Sequence, residues 1–304
     1  MTSNDTRPDI YSRITNQIIS SLEKGVKPWT QPWNAGHAAG PVSRPLRFNG
    51  EAYSGINILS LWASAMERHF AAPIWMTYRQ AAELGGHVRK GEKGSPVVYA
   101  NTIVKTELDD KTGDELEQTI PFMKGYTVFN VEQIEDLPAH YYALREPARN
   151  PDERIAHAER FFATVGARIL NGGNSAYYRM ATDHIQMPSF ETFFNAQSYY
   201  ATLAHESVHW TRHPSRLDRS FEQQRYGDTG YAKEELVAEL GAAFLCADLE
   251  LKPEDRNDHA AYIGSWLQAL RNDKKAIFAA AAHAQRAVDY LHNLQESDQA
   301  VAAA

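Results

Sequence analysis

The chain has 304 residues, of which 43% are hydrophobic and 23% charged, with a formal net charge of −7. This is the composition of an ordinary soluble globular protein of about two domains; it excludes collagen-like, coiled-coil and disordered chains, and no run of 18 apolar residues offers a spanning helix. The acidic total argues against a bulk nucleic-acid binder of the strongly basic type, and a single cysteine, Cys246, forms no internal disulfide and fits a reducing cytoplasm.

The N-terminus, MTSNDTRPDIYSR, has no apolar core of the signal-peptide kind. Ile10, Ile14, Ile18, Ile19 and Leu22 then recur at helical spacing, with Gly25 as a stop. KPWTQPWNAGHAAGPVSRPL is rich in Pro and Gly and predicts a loop. NILSLWASAMERHF and TYRQAAELGG predict two more helices. VVYANTIVKTEL and LEQTIPFMKGYTVFNV predict two strands joined by the acidic turn DDKTGDE, so the first half reads as α+β with a long hairpin. Residues 136–152 carry Pro138, Pro147 and Pro151 and predict a linker. Beyond it RIAHAERFFATVG predicts a helix, YYRMATDHIQMP a strand, and about 191–211 a long helix. A polar loop follows over 212–230, then helices near 231–249, 257–272 and 274–296, with AVAAA as a frayed tail.

His205-Glu206-Ser207-Val208-His209 is an H-E-x-x-H inside Ala196–Trp210, a stretch free of Pro and Gly. On a helix, positions i and i+4 share one face, so two imidazoles can hold one Zn²⁺ while Glu206 acts as general base toward water activated by the metal. A catalytic zinc needs a third protein ligand and an open position. His213, four residues past His209, is too close in the chain to return to the metal. KEELVAELGAAFL offers Glu235 and Glu239 one turn apart: Glu235 as ligand and Glu239 holding a ligand histidine by its other ring N–H, with the swapped assignment as the competitor. Glu234 is expected to face solvent. Tyr226, Tyr231 and His213 are candidates for stabilising an oxyanion. The strand YYRMATDHIQMP offers an edge for an extended peptide. His₂Glu ligation suits Zn²⁺, with Mn²⁺ or another divalent metal as alternatives.

The charge is unevenly spread. Residues 1–105 carry 12 Lys and Arg against 7 Asp and Glu, while the remaining 199 carry 19 against 31. The basic stretch also holds Trp29, Trp33, Trp62 and Trp75, with only Trp210 and Trp266 beyond it. Single-stranded nucleic acid is bound by aromatic platforms along a positive groove. Lys27, Trp29, Trp33, Arg44, Arg47, Asn49, Tyr53, Asn57, Trp75, Arg79, Lys90 and Lys93 supply both parts and are the candidate DNA contacts. Trp62, inside a helical ILSLW, reads as core instead.

GVKPWTQPW, YSGINILSLW and WMTYRQAAELGGHVRKGEKG resemble the N-terminal single-stranded-DNA-binding domain of the plasmid antirestriction family ArdC. AHESVHWTRHPSRLDR followed by YAKEELVAELGAAFLCADL resembles that family's zinc-metallopeptidase-like domain. The resemblance covers nearly the whole chain. It implies an α+β protein with a single-stranded-DNA-binding domain over 1–135, a linker over 136–152, and a mainly helical, zincin-like metallopeptidase domain with a small sheet over 153–304. It further implies a cytoplasmic role in the recipient bacterial cell, away from membranes, protecting incoming conjugative plasmid DNA from host restriction endonucleases. The alternative is a zinc protease targeted to DNA-bound proteins, with a restriction-system component as a possible substrate.

Overall fold

The first helix forms where a cap and an apolar stripe coincide. Asp9 accepts a hydrogen bond from the Ser12 backbone N–H, Ile14, Ile18, Ile19 and Leu22 are buried, and Gly25 ends the helix at φ +74°. The structure is a computed structural model that describes residues 9–29, 43–108, 115–142, 151–221, 229–251 and 260–302. Trp33, Tyr226 and the hairpin turn at 109–114 therefore lie outside the described residues.

In chain order the N-terminal half comprises α1 (Ile10–Glu23), β1 (Leu46–Arg47), α2 (Ile56–Arg68), β2 (Ile74–Met76), α3 (Tyr78–Glu83), β3 (His87–Val88), β4 (Ser95–Leu108), β5 (Glu115–Asn130) and β6 (Ile134–Glu135). The hairpin β4–β5 pairs Ser95 with Val128 through to Leu108 with Glu115, as the two apolar runs predict. It extends into a four-stranded sheet of order β1-β2-β5-β4, and β3 pairs with β6. Strands of two or three residues have no readable period, which is why β1, β2, β3 and β6 were not expected from sequence.

The edge of β4 is closed by α2. Asn57 donates from Nδ2 to Val98 O (2.8 Å) and accepts from Val98 N–H at Oδ1 (2.7 Å), while Ser60 donates to Pro96 O (2.7 Å). Across the hairpin, a Cβ on Gly125 would stand 3.2 Å from Ile10 Cδ1, so glycine there lets α1 close onto that face.

The C-terminal half comprises α4 (Pro151–Val165), β7 (Ile169–Asn171), β8 (Tyr177–Arg179), β9 (His184–Met187), α5 (Ala196–Trp210), α6 (Thr229–Asp248), α7 (Ala260–Asn272) and α8 (Ala276–Ala302). YYRMATDHIQMP forms two strands rather than one. A 3₁₀ turn and Asp183, at φ +44°, reverse the chain so that β8 runs antiparallel to β9. In the order β7-β9-β8, β9 is central, so only the β8 part of the expected peptide-binding strand is a free edge. The last helix runs to Ala302, into the segment expected to fray.

The expected linker starts inside the fold. Leu137 and Tyr141 are buried with Met76, Val131 and Ile134, Tyr141 Oη donates to Phe48 O (3.1 Å), and Tyr142 Oη donates to Ile134 O (2.9 Å). Both halves feed one continuous core. Thr15 Oγ1 donates to Lys274 O (2.7 Å), Trp29 meets Trp266 edge-on at 6.0 Å, and Trp62 meets Phe244 at 5.9 Å. Among the described residues no helix is long and apolar enough to cross a membrane.

Candidate metal centre

Two buried helices build the site. Asn195 caps α5 by accepting from the Ser198 N–H, and every residue from Tyr199 to Trp210 is buried, the HExxH included. The second helix, α6, is apolar on all sides from Leu236 to Cys246 except at Glu239, so it sits inside the molecule rather than on its surface. Gly241 lets the two helices meet: a Cβ there would come within 2.8 Å of Val208 Cγ2 and 2.9 Å of Cγ1. That contact sets Glu235 opposite His205 and His209.

The three side chains converge through their donor atoms. His205 Nε2 and His209 Nε2 are 3.2 Å apart, Glu235 Oε2 lies 3.5 Å from His205 Nε2, and Glu235 Oε1 lies 3.4 Å from His209 Nε2. Tetrahedral ligands at about 2.0–2.1 Å from a zinc-sized ion stand about 3.3 Å from one another. The separations are of that size, and among the described residues His205, His209 and Glu235 form the group that could hold a metal ion. Glu206 lies on the same helix and is 3% exposed.

The outer nitrogens of both histidines face carboxylates. His209 Nδ1 is 3.0 Å from Glu234 Oε1, and His205 Nδ1 is 3.8 Å from Glu239 Oε2. Glu234 does not face solvent as expected: it is 2% exposed, turned inward to Arg219 and His209 while its neighbour Lys233 takes the exposed side of α6. Arg219 grips it with two parallel bonds, Nε to Oε2 (2.9 Å) and Nη2 to Oε1 (2.8 Å). The same guanidinium donates to Val208 O (2.9 Å) and Thr211 Oγ1 (3.1 Å), tying the end of α5 to α6. The loop after α5 is anchored a second time by Arg216, whose Nη1 donates to Asp183 Oδ2 (3.0 Å) and whose guanidinium lies 3.8 Å over the Trp210 ring.

Charge follows from this packing. Burial resists ionisation of Glu234, but Arg219 and His209 outweigh it and hold the carboxyl down at about 2. Burial likewise resists ionisation of Glu235, and the two histidines pull it well below the usual carboxylate range. For His209 burial disfavours the cation, yet Glu235 and Glu234 push the imidazole up to about 10. A metal must therefore displace a proton from His209 at neutral pH. Apparent metal affinity is expected to rise about tenfold per pH unit between pH 6 and 9 and to flatten above about 10. Isothermal titration at pH 7 in buffers of different ionisation heat checks this by counting about one proton released per metal.

Of the oxyanion candidates, Tyr231 stands beside Glu235 and Tyr262, and burial first, then Glu235, push its phenol well above the usual range. His213 is taken up by Ser215, its Nδ1 2.7 Å from Ser215 Oγ.

The candidate DNA contacts separate into two groups. Trp29 and Trp75 are fully buried, so neither ring is a stacking platform here: Trp29 packs on Trp266 and Trp75 on Phe70. Lys27 and Tyr53 are buried too, Asn57 closes the β4 edge, and Arg44 is bound to Asp248 (Nη2 to Oδ2, 2.6 Å) and Gln285. Arg47, Asn49, Arg79, Lys90 and Lys93 are exposed, with Arg47 paired to Glu51 and Arg79 to Glu83.

An aromatic surface missed in the sequence lies on the hairpin. Tyr99, Asn101 and Ile103 alternate along β4 and are paired with Lys124, Phe122 and Ile120 on β5, so all six share one face, with Tyr126 next along. Tyr99, Ile103, Ile120 and Tyr126 are exposed, Tyr99 lies 6.1 Å from Phe122, and Lys124 Nζ lies 5.4 Å over Tyr126. The signal was available: the hairpin carries apolar residues on both faces, and the core takes only its base, Val97 and Val128 on one face and Val98 and Met123 on the other, leaving Tyr99, Ile103, Ile120 and Tyr126 exposed.

Comparison with known proteins agrees with this architecture. Residues 8–129 match the N-terminal domain of the anti-restriction factor ArdC, and residues 156–283 match a zincin-like metallopeptidase family. The chain is 45% identical over 298 residues to the uncharacterized protein y4eC of Sinorhizobium fredii, covering 96% of this chain and 94% of that protein. It is 38% identical over 302 residues to a DNA primase TraC of Escherichia coli, covering 94% of this chain but spanning only 27% of the primase. The metal-free crystal structure of antirestriction ArdC from plasmid R388 superposes with a TM-score of 0.79 at 47% identity, covering 95% of this chain and 99% of that one. The Mn(II)-bound crystal structure of the same protein gives a TM-score of 0.77 at 46% identity, covering 94% and 98%.

Proposed function

Because the chain belongs to the ArdC family of antirestriction proteins and carries a zincin-like metallopeptidase domain, we propose that it binds single-stranded DNA through its N-terminal half and protects incoming plasmid DNA from restriction, with a divalent metal held by His205, His209 and Glu235. The observation that carries the metal reading is the convergence of three side chains, the two Nε2 atoms 3.2 Å apart and each within 3.4–3.5 Å of an oxygen of Glu235. The Mn(II)-bound state of the R388 protein supports a divalent ion, and His₂Glu chemistry favours zinc among the candidates.

A metal held there would supply Lewis acidity and lower the pKa of water. Glu206, on the ligand helix, would be the group to accept a proton and return it to a leaving amine. Glu234 and Glu239 orient the two imidazoles so that each presents Nε2 to the metal. Burial of the whole cluster keeps bulk water from competing with these contacts. An intact base between the ligand histidines favours, as a second reading, a protease acting on proteins bound to DNA.

For single-stranded DNA the supporting surface is the open face of the hairpin. Tyr99, Phe122 and Tyr126 offer rings to successive bases, Lys124 offers a cation, and exposed Arg79, Lys90 and Lys93 offer phosphate contacts. Anisotropy of a labelled oligonucleotide tests it. Tyr99→Ala and Tyr126→Ala are each expected to weaken binding by about 5- to 100-fold, the worth of one stacked base. Lys124→Ala is expected to lower the salt slope by about one. Unchanged affinity in both tyrosine variants, or equal affinity for duplex, would remove the hairpin face from the interface.

A further inference from the structure

Glu239 is held from the other half of the chain. Its Oε2 lies 3.8 Å from His205 Nδ1, while its Oε1 receives Lys27 Nζ at 3.5 Å and Trp29 Nε1–H at 3.3 Å. Lys27, Trp29, Glu239 and His205 are all less than 9% exposed. Lys27 and Trp29 come from the Lys-Pro-Trp segment after α1, whereas Glu239 and His205 belong to α6 and α5. Trp29 is fixed in turn by Trp266, whose Nε1–H is bonded to Ala232 O (2.9 Å) on α6.

A buried ammonium is tolerated only with a partner, and a buried carboxylate needs charge and donors to stay ionised. Here the two requirements are met together. Lys27 supplies the charge, the Trp29 indole supplies a donor in fixed geometry, and both act on the oxygen of Glu239 that turns away from the site. The other oxygen stands 3.8 Å from His205 Nδ1, an ion-pair distance longer than a hydrogen bond. A carboxylate on the outer nitrogen of a ligand histidine selects the tautomer that leaves Nε2 free for the metal.

We propose that Lys27 and Trp29 are positioning residues of the metal centre: from the N-terminal half they hold Glu239 against His205 and so complete the surroundings of a ligand on the other half. The proposal rests on the reading of His205, His209 and Glu235 as metal ligands. It takes two residues that the sequence offers as DNA contacts and gives them to the metal instead.

The test uses the full chain stripped of metal and titrated with Co²⁺, with affinity from chelator competition and ligand geometry from the visible spectrum. Lys27→Met and Trp29→Phe are each expected to weaken Co²⁺ binding by about 10- to 100-fold and to alter the spectrum, while Lys27→Arg stays near wild type. In a Glu239→Gln background, Lys27→Met is expected to cause no further loss, since its effect passes through Glu239. Thermal melting of the metal-free variants separates this from general destabilisation, because only the increment added by metal shrinks. The proposal is overturned by affinity within twofold of wild type in both variants, by full additivity with Glu239→Gln, or by weaker DNA binding with unchanged Co²⁺ binding. If wild type binds Co²⁺ no better than His205→Ala, the metal reading itself fails, and this proposal with it.

Discussion

On the protease reading, Glu206→Gln is expected to leave metal affinity within a few fold of wild type and to lower metal-dependent peptide hydrolysis by about 10²–10⁴-fold. The substitution keeps the size of the side chain and removes the carboxylate proposed as the base. Glu206 is not among the three converging ligands, so its loss leaves the donor set of His205, His209 and Glu235 intact. The measurement is cleavage of restriction-system proteins by metal-loaded wild type and variant, with and without single-stranded DNA. Full hydrolysis by the variant would exclude Glu206 as the base. The same variant divides the two functional readings when transfer of a plasmid is compared between restricting and non-restricting recipients. Protection equal to wild type assigns the family role to DNA binding, and lost protection assigns it to proteolysis.

The second large effect is on stability. Arg219→Met is expected to cost about 3–5 kcal/mol, because it leaves the carboxylate of Glu234, 2% exposed, without its bidentate partner. Denaturant unfolding of the metal-free protein reads this as a lower midpoint at unchanged slope. Arg219→Lys keeps the charge but not the planar fork and is expected to recover part of the loss. The pH dependence gives a separate check. Glu234 is depressed from the ordinary carboxylate value of 4.5 to about 2, so its contribution is present above 4.5 and is lost as pH falls toward 2. Without Arg219 that depression shrinks, and the acid-side loss of stability is expected to flatten. Metal affinity is expected to fall as well, since Glu234 no longer fixes His209. An unfolding free energy within about 0.5 kcal/mol of wild type would show the pair to be replaceable.

Much of the site was legible because it is local. HExxH places two imidazoles and a base on one helix by spacing alone, and the pair Glu235 and Glu239 is likewise one turn of one helix. Glu234 was misplaced because a glutamate outside the proposed ligand pair reads as an ordinary surface charge. The apolar run from Leu236, broken only by Glu239, held the contrary signal, since that stretch of the helix has no solvent side. Arg219 was visible in the segment HPSRLDR but had no spacing rule to connect it to a glutamate 15 residues away.

The aromatic residues divide on the same ground. Trp residues in a basic, Pro-rich stretch have the composition of a stacking surface, yet Trp29 and Trp75 are at 0% exposure. Composition registers which side chains are large and flat; it does not register which of them find a partner. Trp29 finds Trp266, which is 237 positions further along the chain, and Trp75 finds Phe70. The hairpin face behaves in the opposite way. Its tyrosines read as ordinary strand residues, and they are open because the core takes only the base of the hairpin, at Val97, Val98 and Val128.

By itself the sequence determined the elements and their chemistry: the capped helices, the long hairpin, the two histidines with their base, and the helix that brings the glutamates. These depend on contacts within a few residues, which periodicity and caps encode directly. Only the tertiary structure decided that the two halves share one core, that Lys27 and Trp29 stand behind Glu239, and which aromatic face stays open. Those outcomes depend on which surfaces meet across one or two hundred residues, and burial acts on area with no memory of position in the chain.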